Sequence, residues 1–160
     1  LPDQNCTDHL NYHYSLPYPE LSSLNVTEEM ISRNYTAHHL FKMAESFYES
    51  LGFPAMNDAF WNISVLEQTT TNSTPKDCRP LAHDFSNGVQ YAIYMCTDVS
   101  IDGLVEAHRQ MARLHHYMAC AEQPSIFRHD TGIGFFQAIS DAVALSIGTP
   151  AHLSRIGLLN

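Results

Sequence analysis

Apolar residues recur at helical spacing in "TAHHLFKMAESFYESLG", residues 36–52, and this pattern restricts the chain to folds that bury helix faces. One helix face would carry positions i, i+3, i+4, i+7, i+8 and i+11: Leu40, Met43, Ala44, Phe47, Tyr48 and Leu51. Thr36 precedes the pattern and is a favourable N-cap, whereas Gly52 follows it and favours helix termination. The stretch therefore predicts an amphipathic helix packed against a core.

Two more helices are predicted further along the chain. One runs from about residue 100 to 121, and the next runs from 134 to 147 before Gly148 and Pro150. A short helical turn is also expected at residues 28–33. Together these segments predict a mainly α fold.

The remaining segments are predicted to be irregular, with one exception. Residues 1–24 are rich in Pro, Asn, Tyr and Ser and predict an irregular lead-in, and residues 53–80 predict a loop-rich region. The stretch "SNGVQYAIYMC" has turn residues followed by apolar residues at alternate positions: Val89, Tyr91, Ile93 and Met95. This alternation predicts one short strand, and hence a small β element within a helical chain.

Composition excludes some classes of partner. The chain has 160 residues and 44% hydrophobic content, which suffices for one ordinary core. A formal net charge of -9 argues against nucleic acid or an anionic membrane surface as the main partner. No apolar run approaches the roughly 18 residues of a membrane span, so no transmembrane segment is expected. No leader with a basic and then an apolar region is visible at Leu1.

Five N-x-[ST] sequons indicate an exported glycoprotein. They begin at Asn5, Asn25, Asn34, Asn62 and Asn72, all in the first half of the chain. A glycan needs an exposed acceptor asparagine in the secretory pathway, so this enrichment predicts an extracellular protein or ectodomain. The alternative is an Asn- and Thr-rich surface on which the sequons occur by chance.

Four cysteines are too few for a disulfide scaffold and lack the C-x-x-C spacing of zinc or redox motifs. In an oxidising compartment, Cys78 and Cys96 could close a loop over the hairpin-like segment between them. Cys6 and Cys120 could pair with each other, pair outside the chain, or remain thiols.

Four stretches of the chain carry a family resemblance: "FKMAESFYESLGF", "FWNISVLEQ", "CTDVSIDGLVEAH" and "GFFQAISDAVALSIGTPAHLSRIGLL". Together they resemble the angiotensin-converting enzyme family of zinc peptidyl-dipeptidases. The resemblance implies that residues 1–160 are a fragment of a large, two-lobed, helical zincin-like peptidase domain. It also implies a β segment at residues 78–96 closed by a Cys78–Cys96 disulfide. Zinc and chloride are the cofactors that the family uses.

The resemblance also places the family's zinc site on this sequence. The motif H-H-E-M-G-H aligns with "HRQMAR", so the first two zinc ligands correspond to Arg109 and Arg113 and the general base to Gln110. The third ligand corresponds to Gln137, which follows Arg113 at the family's interval of 24 residues. The predicted helices at 100–121 and 134–147 thus become the zinc helix and the third-ligand helix, both without their reactive side chains.

These replacements remove the chemistry that zinc requires. Zinc binds neutral imidazole, thiolate or carboxylate, whereas a guanidinium has five donors, no acceptor and a permanent charge. Gln110 has no carboxylate with which to take a proton from a zinc-bound water. We therefore expect no catalytic residue, no metal ligand and no cofactor in this chain.

A protein charge is expected in place of the metal. Asp141 matches the aspartate that lies next to the first ligand in the family, so we expect it to form an ion pair with Arg109. The floor of the cleft would then be cationic. The alternative is that Arg109 and Arg113 both point into solvent.

The histidines do not predict a second metal site. His108 and His115 lie seven residues apart, with His116 adjacent and His129 further on, whereas helical ligand pairs usually lie four apart. Polar helix positions and one packed histidine are the favoured interpretation.

The favoured function is a secreted or ectodomain pseudoenzyme that binds a peptide or protein in the retained cleft. The alternative is an inactive tandem domain or fragment of a protein whose other domain removes C-terminal dipeptides. A hydrolase with unconventional residues would need a nucleophile and a base, and no Ser/His/Asp arrangement is identifiable.

Overall fold

A computed structural model describes residues 26–67, 78–128 and 133–159, so the expected irregular lead-in at 1–24 lies outside it. The described chain is mainly helical with one small sheet, as predicted. Its elements in chain order are α1 (Val26–Ser32), α2 (Ala37–Ser50), α3 (Asp58–Ile63), β1 (Leu81–Asp84), β2 (Tyr91–Tyr94), α4 (Ile101–Cys120), α5 (Ser125–Arg128), α6 (Ile133–Ile147) and α7 (Pro150–Arg155).

The long helices begin where capping residues occur. The N–H of His39 donates to Oγ1 of Thr36 at 3.3 Å at the start of α2, and the N–H of Gly103 donates to Oγ of Ser100 at 3.0 Å at the start of α4. Each bond satisfies a backbone donor that has no partner within its helix. The predicted bounds of α2, α4 and α6 are confirmed to within about a residue.

Gly103 is required by a close approach of the backbone at the first turn of α4. A Cβ added at this position would collide with the carbonyl oxygen of Asp98 and crowd Thr97. Because a backbone atom is the obstacle, a larger residue would force the loop before α4 to move.

The core lies between α2 and α4, and it holds α4 in the centre of the structure. Fully buried side chains from the two helices include Leu40, Phe41, Leu104 and Met111. The Tyr48 hydroxyl donates to the carbonyl oxygen of His108 at 2.9 Å and thereby ties α2 to α4. α4 also packs against α6 and against the sheet. These contacts fix the orientation of α4 about its own axis.

Two antiparallel strands form the sheet, with Leu81 opposite Tyr94 and Asp84 opposite Tyr91. A disulfide joins Cys78 to Cys96, which confirms the pairing that the family resemblance implied. Cys120 forms no disulfide with the described residues, and Cys6 lies outside them.

The alternation predicted for the strand is correct at three positions and wrong at one. Tyr91, Ile93 and Met95 are buried, but Val89 is 61% exposed because it belongs to the turn before β2. Ala92 is buried as well, so β2 is covered on both faces rather than on one.

Two short helices depart from the sequence prediction. α3 lies within the region expected to be loop-rich, where Asn57 accepts the N–H of Phe60 at 2.9 Å and the Phe60 ring is buried. Pro150 was expected only to end the preceding helix, yet it also begins α7 after the N-cap Thr149. Proline suits a first helical position because its fixed φ is compatible with a helix and no N–H is needed there.

Candidate functional site

The positions that match the family's zinc site lie on the facing surfaces of α4 and α6. On α4, Glu106, Arg109, Gln110 and Arg113 share one face because they are spaced by three, four and seven residues. The packing of α6 against α4 brings Gln137 to the same place. The intact spacing of the motif therefore still assembles a common site.

Arg109 forms ion pairs with carboxylates on both helices. Its Nη2 lies 3.2 Å from Oδ1 of Asp141, and its Nη1 lies 3.4 Å from Oε2 of Glu106. The Arg109 side chain is only 16% exposed. The expected Arg109–Asp141 ion pair is thus present, and the alternative of a solvated Arg109 is wrong.

Hydrogen bonds through Gln137 extend this contact to Arg113. Nη2 of Arg113 donates to Oε1 of Gln137 at 3.4 Å, and Nε2 of Gln137 donates to the two carboxylate oxygens of Asp141 at 3.3 and 3.4 Å. We call this series of side-chain contacts, from Arg109 through Asp141 and Gln137 to Arg113, the four-residue network. It links two ligand positions of α4 through the third ligand position of α6.

Gln110 is buried and contacts Glu106. Its Nε2 donates to Oε1 of Glu106 at 2.5 Å, and the residue is 0% exposed. Glu106 therefore accepts from Gln110 with one oxygen and pairs with Arg109 through the other. Because an amide has no proton-accepting group of suitable pKa, Gln110 cannot serve as a general base.

The expectation of a cationic cleft floor is wrong for the described residues. The guanidinium groups of Arg109 and Arg113 are accompanied by the carboxylates of Asp141 and Glu106, so two positive charges meet two negative charges. Glu106 was missed by sequence reasoning. Its position in the sequence could have predicted these contacts. Glu106 lies three residues before Arg109 and four before Gln110, and side chains at these spacings contact each other on a helix.

Zinc does not fit this set of side chains. The three ligand positions offer two guanidinium groups, which only donate, and one amide oxygen that already accepts from Arg113. Within residues 26–67, 78–128 and 133–159, no three His, Cys, Asp or Glu side chains are placed to hold a metal ion. The site is built from ion pairs and hydrogen bonds instead.

The helix α4 carries two packed histidines rather than the one expected. His108 is 1% exposed and its Nδ1 donates to the carbonyl oxygen of Leu104 at 2.7 Å; burial lowers its pKa to about 4 despite that bond. His115 is 3% exposed, and burial lowers its pKa to about 4 against the opposing charge of Glu45. Both rings are therefore neutral at pH 7.

The other histidines bring no further ligands to this place. His116 Nε2 lies 3.5 Å from Sγ of Cys120, on another part of α4. His129 lies outside the described residues. Of the predicted glycosylation sites, Asn34 and Asn62 are exposed, whereas Asn5, Asn25 and Asn72 lie outside the described residues.

Comparison with known protein sequences shows the family of this chain. The family model described as angiotensin-converting enzyme, peptidase M2, matches residues 7–160. The chain belongs to the angiotensin-converting enzyme family. It is 38% identical over 149 residues to the angiotensin-converting enzymes of Bos taurus and Mus musculus, and 38% identical over 148 residues to that of Sus scrofa.

These matches cover 92–93% of this chain but only 11% of each relative. The chain therefore corresponds to a small part of an angiotensin-converting enzyme. Across the described segments, no helix is both long and apolar enough to cross a membrane.

Proposed function

We propose that this chain is part of a non-catalytic member of the angiotensin-converting enzyme family, in which the four-residue network replaces the zinc centre. The observation that carries the proposal is that Arg109 pairs with Asp141 while Arg113 donates to Gln137, so all three ligand positions are engaged with protein partners. Loss of the metal removes both water activation and carbonyl polarisation. The protein would bind a peptide or another protein without cleaving it, or act structurally.

An extracellular location accompanies this proposal. The Cys78–Cys96 disulfide is typical of oxidising compartments, and the sequons at Asn34 and Asn62 present exposed asparagines. Glycosidase treatment followed by mass measurement of each sequon peptide tests the location. Unmodified asparagines at all five sequons in protein from its native source would contradict it.

The alternative is that another domain of the full-length protein is an active zinc peptidyl-dipeptidase. It is favoured by one observation: the relatives are far longer than this chain, which spans 11% of their length. In that case the present segment would be an inactive copy or fragment within an active protein.

Release of C-terminal dipeptides by the purified full-length protein tests both proposals. The variant R109A/R113A removes both guanidinium groups from the site, and R155A is a control on α7. We expect no chelator-sensitive release or, if another domain is active, release that is the same in the wild type and both variants. Chelator-sensitive release that R109A/R113A abolishes and R155A leaves intact would contradict the proposal.

A further inference from the structure

His116 and Cys120 lie four residues apart in the last two turns of α4. The histidines considered alone lack this spacing, but histidine and cysteine are both zinc ligands, and side chains four apart share one face of a helix. Cys120 follows Arg113 by two turns, or about 10 Å along the axis. The pair is therefore separate from the positions that match the family's zinc site.

The two donor atoms have a separation that suits a shared metal ion. Nε2 of His116 lies 3.5 Å from Sγ of Cys120. Zinc binds nitrogen at about 2.0–2.1 Å and sulfur at about 2.3 Å, and with a tetrahedral angle at the metal these two ligand atoms are about 3.5 Å apart. One cation can therefore contact both atoms without a change in their separation.

The pair is oriented by its surroundings but is not sealed in the core. Both residues are partly exposed, and the His116 ring contacts that of Phe135 on α6 edge to face, 6.3 Å centroid to centroid. Cys120 forms no disulfide with the described residues, so its sulfur is a thiol with respect to them. Ligands that are already oriented lose less conformational freedom when they bind.

The C-terminal end of α4 favours a positive ion. Carbonyl groups in the last turn of a helix carry a partial negative charge, and the last turn of α4 holds no basic residue. The basic residues on either side in the sequence are engaged elsewhere. Arg113 donates to Gln137, and Nε of Arg128 donates to the carbonyl oxygen of Gln123 at 2.7 Å.

The donor atoms limit the kind of ion. Imidazole and thiolate suit zinc and other thiophilic ions, whereas Mg²⁺ and Ca²⁺ prefer oxygen ligands. The described segments place no third His, Cys, Asp or Glu side chain beside this pair. Water therefore completes the coordination, and the ion binds more weakly than in a site with three or four protein ligands.

We propose that His116 and Cys120 together bind one thiophilic divalent cation such as zinc, through Nε2 and Sγ. The thiol proton passes to solvent as the bond between metal and sulfur forms. This inference is independent of the proposed function, because neither residue belongs to the four-residue network.

Titration of the full-length protein with Cd²⁺ tests the proposal, because a bond between cadmium and a thiolate adds an ultraviolet absorption band. C120S serves as the baseline, so that Cd²⁺ bound at other places is subtracted. We expect the wild type to show a saturable band, with one equivalent of Cd²⁺, that C120S lacks. Absence of this band would overturn the proposal, and so would mass spectrometry that finds Cys120 in a disulfide.

Variants show whether the histidine takes part. H116F keeps an aromatic ring against Phe135 but removes both ring nitrogens, so Cd²⁺ should bind about tenfold more weakly or worse, since even an indirect partner of a metal ligand has about this effect. H83F, which replaces an exposed histidine on β1, is the control and should bind like the wild type. Equal affinity of H116F and the wild type would overturn the proposal, because the cysteine would then bind alone.

A measurement on the wild type keeps the test decisive if H116F does not fold. X-ray absorption spectroscopy of the protein with one equivalent of Cd²⁺ identifies the atoms bound to the metal. We expect one sulfur and one imidazole nitrogen. A spectrum with sulfur but no imidazole would overturn the proposal.

Discussion

Nη2 of Arg109 lies 3.2 Å from Oδ1 of Asp141, and this ion pair joins α4 to α6 at a position where the family places a zinc ligand. By the family resemblance, the guanidinium group occupies the position of the first zinc ligand, which is an imidazole in the family's motif. Its carboxylate partner and the bridging amide of Gln137 then connect it to Arg113. These side chains thus pair with one another across α4 and α6.

We expect D141N to lower the stability of the protein modestly. The substitution removes the charge that faces Arg109 on α6, whereas Glu106 on α4 continues to pair with Arg109. Because the Asp141 side chain is 38% exposed, the loss should be roughly 0.5–1 kcal/mol. Thermal unfolding of the full-length protein measures it, with E49Q as a control at an exposed carboxylate on α2. An equal effect of both substitutions would contradict a specific ion pair.

The variant R109H/Q110E/R113H/Q137E should gain one zinc ion per molecule. The helices already bring these positions together, as the contact between Arg113 and Gln137 shows, so only the donor atoms need to change. Metal analysis after dialysis measures the gain, and the single variant Q110E should gain none. A stable quadruple variant that binds no additional zinc would show that the backbone geometry of the site has changed too.

Removal of the Cys78–Cys96 disulfide should destabilise the region around the sheet. The bond closes a segment with a sequence separation of 18, for which the loss of loop entropy predicts roughly 3 kcal/mol. The variant C78S/C96S should therefore unfold at a lower temperature than the wild type. C120S is the control, because Cys120 forms no disulfide with the described residues. A reductant should lower the unfolding temperature of C120S and wild type equally, and no effect on either would contradict the prediction.

Stability should fall as the pH is lowered from about 6.5 to about 4. Burial lowers the pKa of His108 and of His115 to about 4, whereas both would titrate near 6.5 in the unfolded chain. Between these values the unfolded state binds more protons than the folded state, so protonation favours unfolding. The unfolding temperature measured across this range should fall less steeply in H115Q than in the wild type. Identical slopes would show that His115 is not held neutral.

The long helices and their ends were predictable because their signals are local. Thr36 and Ser100 cap helices through their own side chains, and the apolar spacing of α2 survives in the buried face of Leu40, Ala44 and Tyr48. α3 was not predicted because its six residues are too few for a clear periodicity. The burial of Phe60 helps to stabilise it, and that burial depends on the tertiary structure.

The site was predictable in its positions but not in its charge. The family motif located Arg109, Arg113 and Gln137, and the matching aspartate predicted the ion pair. The compensating charge of Glu106 was not predicted, because Glu106 lies outside the family motif, one helical turn before Arg109. The absence of partners for the His115 ring could not be predicted at all, because it depends on which side chains surround a buried position.

The zinc content of the full-length protein shows whether Arg109, Arg113 and Gln137 hold a metal ion. It should be measured in the wild type and in R109A/R113A/Q137A after identical purification in zinc-containing buffer and dialysis, with thermal unfolding to verify that both are folded. We expect the same zinc content in the two proteins, whether that is none or the content of another domain. One equivalent of zinc that is present in the wild type and absent from the folded variant would contradict it.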